Sequence, residues 1–159
     1  MVQDAGVRVS TEGLESLYRE RGPGIWRALV AFAGSKEVAS DALAEAFAQA
    51  LARGDAIRDP EAWIWRVAFI VARAELKERS EGAEMTKEPS YEFPDPLVDL
   101  FRALDRLSPS QRLAIILHDY ADRPTDEVAA VIGTSRATVH VHLSKGRRRL
   151  RDLLETNDG

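Results

Sequence analysis

The side chains with the most chemical promise lie near the C-terminus, in the run SRATVHVHLSKGRRRLR at 135–151. It holds Arg136, Lys145, Arg147, Arg148, Arg149 and Arg151, with His140 and His142 ahead of the densest part and no acid among them. Fixed cations at this density can neutralise phosphates, and Arg, Thr and His on the first turns of a helix can bond base edges. A basic run is more often a plain solvated face. Here it is all of one sign in a chain whose formal net charge is −4, which favours contact with nucleic acid over the plain reading. The charge is uneven: residues 1–96 carry 12 basic and 17 acidic side chains (−5), and 97–159 carry 10 and 9 (+1).

Other chemistries find little support. His140 and His142 are two apart, so on a helix they point in different directions and cannot easily share an ion. With His118 as the one further histidine and no cysteine in the chain, a zinc site is not expected. His118 reads as a helix-end residue near Asp119 and Tyr120. There is no nucleophile–base constellation and no glycine-rich phosphate loop, and GPG at 22–24 reads as a turn. No enzyme activity, metal or cofactor is expected. The absence of cysteine also removes disulfides and is compatible with a reducing cytosol. The longest nearly uncharged run, 62–72, is interrupted by Arg66 and is shorter than the roughly 20 residues a membrane span needs. The N-terminus lacks the basic start and apolar core of a signal peptide.

The elements that must position the basic run are helical, and no sheet is expected. Thr11 is the expected cap of a first helix running to about Val30. After the AGSKE break, Ser35 caps a second, in which Val38, Ala42, Leu43, Ala46, Phe47, Ala50 and Leu51 recur at spacings of three and four. Its other side shows Lys36, Glu37, Asp41, Glu45 and Gln49, a solvated or partner-facing stripe. Asp59 before Pro60 starts a third helix by cap and first-position proline. That helix is apolar nearly all round in its first half, as in the middle of a bundle.

The stretch 77–96 is rich in Glu, Pro and Ser and reads as a linker, at least partly disordered. The expected organisation is therefore an all-α chain of two small helical domains, 1–79 and 97–159, joined by a flexible linker over 80–96. In the second, Leu97, Leu100, Phe101, Leu104 and Leu107 share one helix face. Ser108, Pro109 and Gln111 then stack the start signals of the next helix. Thr125 is the expected cap of a short helix that Gly133 ends, and Ser135 or Thr134 caps the last and longest one. A short helix, a glycine turn and a second helix form a helix-turn-helix pattern. Val128, Ala129 and Ile132 would pack on Val139 and Leu143, leaving Arg136, His140, Ser144, Arg147 and Arg151 outward. In such a motif the second helix enters the major groove. Arg136, Thr138, His140 and His142, with Ser135 at the helix start, are candidates for reading bases. Lys145, Arg147, Arg148 and Arg149 are candidates for holding phosphates. Four to six neutralised phosphates would give a log–log salt slope of roughly −4 to −5.

Taken together, these features resemble a bacterial sigma factor of the extracytoplasmic-function (ECF) group, over residues 14–154. The strongest part is 103–151, similar to the fourth sigma domain, which reads the promoter −35 element. The family's EIA…LG…GTV…R…R…L is matched by Glu127, Val128, Ala129, Ile132, Gly133, Ala137, Thr138, Val139, Lys145, Arg147 and Leu150, and His142 replaces a frequent arginine. The first half is similar to the second sigma domain in degenerate form. ASDALAEAF keeps Asp41, Glu45 and Phe47, and AWIWRVAFI keeps Trp63 and Arg66 but has Phe69 and Ile70 where an Arg-Asn pair is usual.

The resemblance implies a cytoplasmic, noncatalytic initiation factor that binds core RNA polymerase and directs it to double-stranded promoter DNA, with no membrane insertion. Asp41, Glu45 and Gln49 would face polymerase. Trp65, Arg66, Arg73 and Lys77 would meet the −10 element, with Trp63 in the core and Trp65 the more exposed of the two tryptophans. Many relatives are held inactive by an anti-sigma factor, which the acidic linker permits here. The thinned −10 region leaves two alternatives open: a sigma-like DNA-binding regulator that does not open promoters, or a sigma mimic that occupies a partner.

Overall fold

The computed structural model describes residues 10–81 and 95–157, and among them the chain is helical with no strand. The elements are α1 (Thr11–Ala33), α2 (Lys36–Arg53), α3 (Pro60–Glu81), α4 (Asp95–Asp105), α5 (Pro109–Ala114), α6 (Thr125–Ile132) and α7 (Arg136–Asn157). A 3₁₀ turn, Gly54–Ala56, follows α2, and α5 runs on into a π-helical turn, Ile115–Tyr120. Most of the expected linker, 82–94, lies outside the described residues.

Local signals set most of the helix starts. The Ser35 hydroxyl accepts from Val38 N at 3.2 Å, and Asp59 Oδ1 accepts from Ala62 N at 3.1 Å. Ser108 and Gln111 form the reciprocal capping box at the head of α5. At α7, Thr138 N donates to the Ser135 hydroxyl at 3.2 Å, and Gly133 takes the left-handed φ of 81° that ends α6.

Three sequence expectations fail. The cap of α1 is Ser10, not Thr11: its hydroxyl accepts from Gly13 N, and the helix runs on to Ala33. Position 124 is the N-cap of α6, and Thr125 is already helical. The GPG at 22–24 is no turn and lies inside α1. Pro23 removes one backbone donor. The helix continues because both flanks are anchored in the core, Leu14 before it and Ile25, Leu29 and Phe32 after it.

α1 packs on α2 and α3, while α7 packs on α4, α5 and α6. The two groups meet: α3 lies against α6, and α1 against α4 and the π turn. A single buried cluster runs through both, from Phe32, Ile64 and Phe69 to Leu113, Val128 and Leu143. Gly146 lets α7 cross α5 closely, since a Cβ there would sit 2.8 Å from Ile115 Cδ1 and 3.3 Å from Gln111 Cβ. That crossing fixes the direction of the basic half of α7.

Candidate nucleic-acid interface

Buried Val139, Leu143 and Gly146 hold α7 to the core from one side. The same periodicity leaves Ser135, Arg136, His140, Ser144, Lys145, Arg147, Arg148, Arg149 and Arg151 exposed, with Thr138 and His142 half-buried. All nine residues proposed from the sequence for duplex DNA therefore share the first four turns of one helix or its cap. They are not equally available. Thr138 is partly committed to the cap, with its hydroxyl 3.0 Å from that of Ser135. Arg136 lies 3.4 Å from Asp126, both side chains open to water, a pair worth little in solution.

Two of the four phosphate candidates carry structural duties. Arg147 donates in fork geometry to Asp119 on the π turn, Nε to Oδ2 at 2.9 Å and Nη2 to Oδ1 at 2.6 Å. The Arg147 guanidinium holds the Asp119 carboxyl below its ordinary range, with His118, whose Nδ1 is 3.0 Å from Oδ1, helping against the opposing effect of burial. In return the Asp119 hydrogen bonds raise the Arg147 pKa. Arg149 Nε donates to Arg106 O at 3.2 Å, just beyond α4. Among the described residues Lys145 and Arg148 have no such partner, so they are the freer two of the four phosphate candidates.

The α3 candidates divide differently. Arg66 and Lys77 are exposed. Trp65 is the clearest correction: it is 7% exposed, while Trp63, expected in the core, is only partly buried. The Trp65 ring stacks on Phe69 at 6.0 Å between centroids, and the Arg123 guanidinium lies over it at 5.9 Å. Its indole N–H is buried without an acceptor among the described residues, a fault that costs about 1–3 kcal/mol in general. Arg73, expected to face DNA, donates Nη1 to Val131 O and Ile132 O at 3.2 and 2.8 Å. On α2, Asp41 and Glu45 stand exposed on one face, and Gln49 donates to Glu45 Oε1 at 2.9 Å.

Sequence reasoning missed Asp119 and Arg123. The Arg147–Asp119 pair spans 28 positions, which no local spacing reveals. Arg123 and Glu127, bonded through both carboxylate oxygens at 2.8 and 2.9 Å, are four apart and could have been paired by spacing. Those bonds raise the Arg123 pKa against its partial burial.

Comparison with known proteins fits this arrangement. Residues 97–150, which hold α7 up to Leu150, match the family model described as sigma-70, region 4. Over 133 residues the chain is 30% identical to the ECF RNA polymerase sigma factor SigJ of Mycobacterium tuberculosis, covering 72% of this chain and 43% of that protein. Over 134 residues it is 31% identical to the RNA polymerase sigma-E factor of Streptomyces antibioticus, covering 76% of this chain and 72% of that one. The chain belongs to the ECF sigma factors of the sigma-70 family. As a sigma factor it belongs to a class of initiation factors that are generally non-enzymatic. Its fold is that of the sigma factor RpoE, solved in complex with the anti-sigma factor NepR from Bartonella quintana. The TM-score is 0.76 at 22% identity, over 91% of this chain and 98% of that one. CnrH, solved with the cytosolic domain of CnrY, superposes with a TM-score of 0.69 at 20% identity, over 93% of this chain and 91% of that one. No described helix of this sigma factor is long and apolar enough to cross a membrane.

Proposed function

We propose that this sigma factor binds core RNA polymerase in the cytoplasm and directs it to specific promoters, without a cofactor and with the polymerase supplying all chemistry. Residues 97–157 form the duplex-reading unit. The first turns of α7, from Ser135 through His142, meet base edges of the −35 element, while Lys145 and Arg148 hold phosphates, with Arg147 and Arg149 adding charge from fixed positions. The unit before residue 82 meets polymerase through the α2 stripe of exposed Asp41 and Glu45 with half-buried Gln49. It meets the −10 strand through α3, where Arg66 and Lys77 are the accessible cations. An anti-sigma partner is expected to compete for these surfaces. The single observation that carries the reading is the acid-free, exposed face of α7 inside the region-4 match, in a chain of net charge −4.

A second reading has its own support. With Trp65 buried and Arg73 bonded to α6, the −10 surface is incomplete, which favours a regulator that holds duplex DNA without opening it. Transcription from promoter-library DNA with sigma-free core polymerase separates the two. Promoter-dependent transcripts establish the first reading. Polymerase binding without transcripts establishes a factor that cannot open DNA alone.

A further inference from the structure

The contacts between α3 and the α6 region have a common character: each side lends the other an arginine. Arg73 reaches from α3 to the last carbonyls of α6, at Val131 and Ile132. Those carbonyls lack helical donors and carry the negative end of the helix dipole, so a guanidinium suits them. In the other direction Arg123, in the turn before α6, is clamped by Glu127 and laid over the Trp65 ring. Its Nη1 stands 3.9 Å from Glu61 at the head of α3. A third arginine, Arg112 of α5, lies 5.0 Å over the Phe32 ring of α1.

We propose that Arg73 and Arg123 form a latch that holds this sigma factor in a self-closed state, with the α6 region seated on α3 and covering Trp65. The latch is built to open. It rests on charge-assisted bonds and ring contacts at the rim of the shared core, and it traps the Trp65 indole N–H without an acceptor among the described residues. Opening would release that group to water or to a base, and would return Arg73 to the solvent-facing side of α3. The recognition face of α7 stays exposed in this state. The closed form can therefore hold duplex DNA while refusing a single strand at α3. Any partner that binds only the open form shifts the population toward it. The latch itself does not depend on the functional reading; its consequence for DNA rests on α3 being the −10 surface.

The test uses the full chain. By the size scaling of compact proteins, a closed chain of 159 residues has a radius of gyration of about 15 Å. Arg123→Glu sets a like charge beside Glu61 and Glu127. It is expected to raise the radius measured by X-ray scattering by several ångströms, with helical circular dichroism unchanged. If the open form is about a tenth of the population, the same change raises affinity for a labelled single-stranded oligonucleotide about tenfold and leaves duplex affinity as it was. Arg73→Gln breaks the latch from the α3 side and is read by scattering alone, so it decides the matter should Arg123→Glu lose helix content. An unchanged radius in both variants overturns the latch. Expansion without a gain in single-strand binding supports the latch and overturns α3 as the −10 surface.

Discussion

α7 and α3 are both long helices that bear arginines and were both expected to face DNA, yet the fold treats them differently. On α7 the apolar stripe is narrow, so one face is buried and the basic face is left to solvent. On α3 the apolar residues go nearly all round, so neighbours close on several sides and take Trp65 and Arg73 with them. The width of the apolar stripe, more than the number of cations, decides whether a helical cation is available to a ligand.

The largest expected effect tests the buried side of this contrast. Trp65→Ala should cost about 3–5 kcal/mol of stability, as large aromatic truncations in cores do. Trp63→Ala, at a partly buried site, should cost less. Chemical denaturation of the two variants checks this, and equal costs would break the comparison. Next, the exposed side: Lys145→Ala with Arg148→Ala should leave stability within about 0.5 kcal/mol. The pair should weaken duplex binding evenly across sequences and make the salt slope less negative by about 2. With Arg147 and Arg149 tied down, the wild-type slope itself should lie at about −3 to −4, shallower than the roughly −4 to −5 expected from the charge run alone. A titration of duplex affinity against salt measures both.

The smallest effect concerns Asp119→Asn. It frees Arg147, and the salt slope should steepen by up to about 1. The Asp119 carboxyl is held below its usual value in the folded state. Its contribution to stability is therefore complete above the unfolded pKa near 3.8 and is lost as pH falls through the lower folded value. The stability gap between wild type and Asp119→Asn should be level from neutral pH down to about pH 5 and should close below about pH 4. Melting curves across that range check the sign.

The sequence carried the helices and most of their caps because those depend on neighbours three or four positions away. Ser108 with Gln111, Asp59 with Pro60, and Gly133 were all legible on that scale. The exposed face of α7 was legible for the same reason. What was hidden depended on contacts across the fold. Asp119 meets Arg147 from 28 positions away, and the α6 carbonyls meet Arg73 from nearly 60, so neither cation announces its partner in the sequence. The Trp63–Trp65 reversal has a related cause: on a helix covered on several sides, periodicity no longer says which residue is outermost. The proline in α1 was misread because its effect on a helix is local while the packing that overrides it is not.

The central claim, that this chain works as a sigma factor with α7 as its duplex reader, is tested most directly by mixing it with sigma-free core polymerase and promoter-library DNA. The expected result is a complex that co-elutes on gel filtration and makes promoter-dependent transcripts, lost when Lys145 and Arg148 are both changed to Glu. Failure to bind core polymerase would contradict the account.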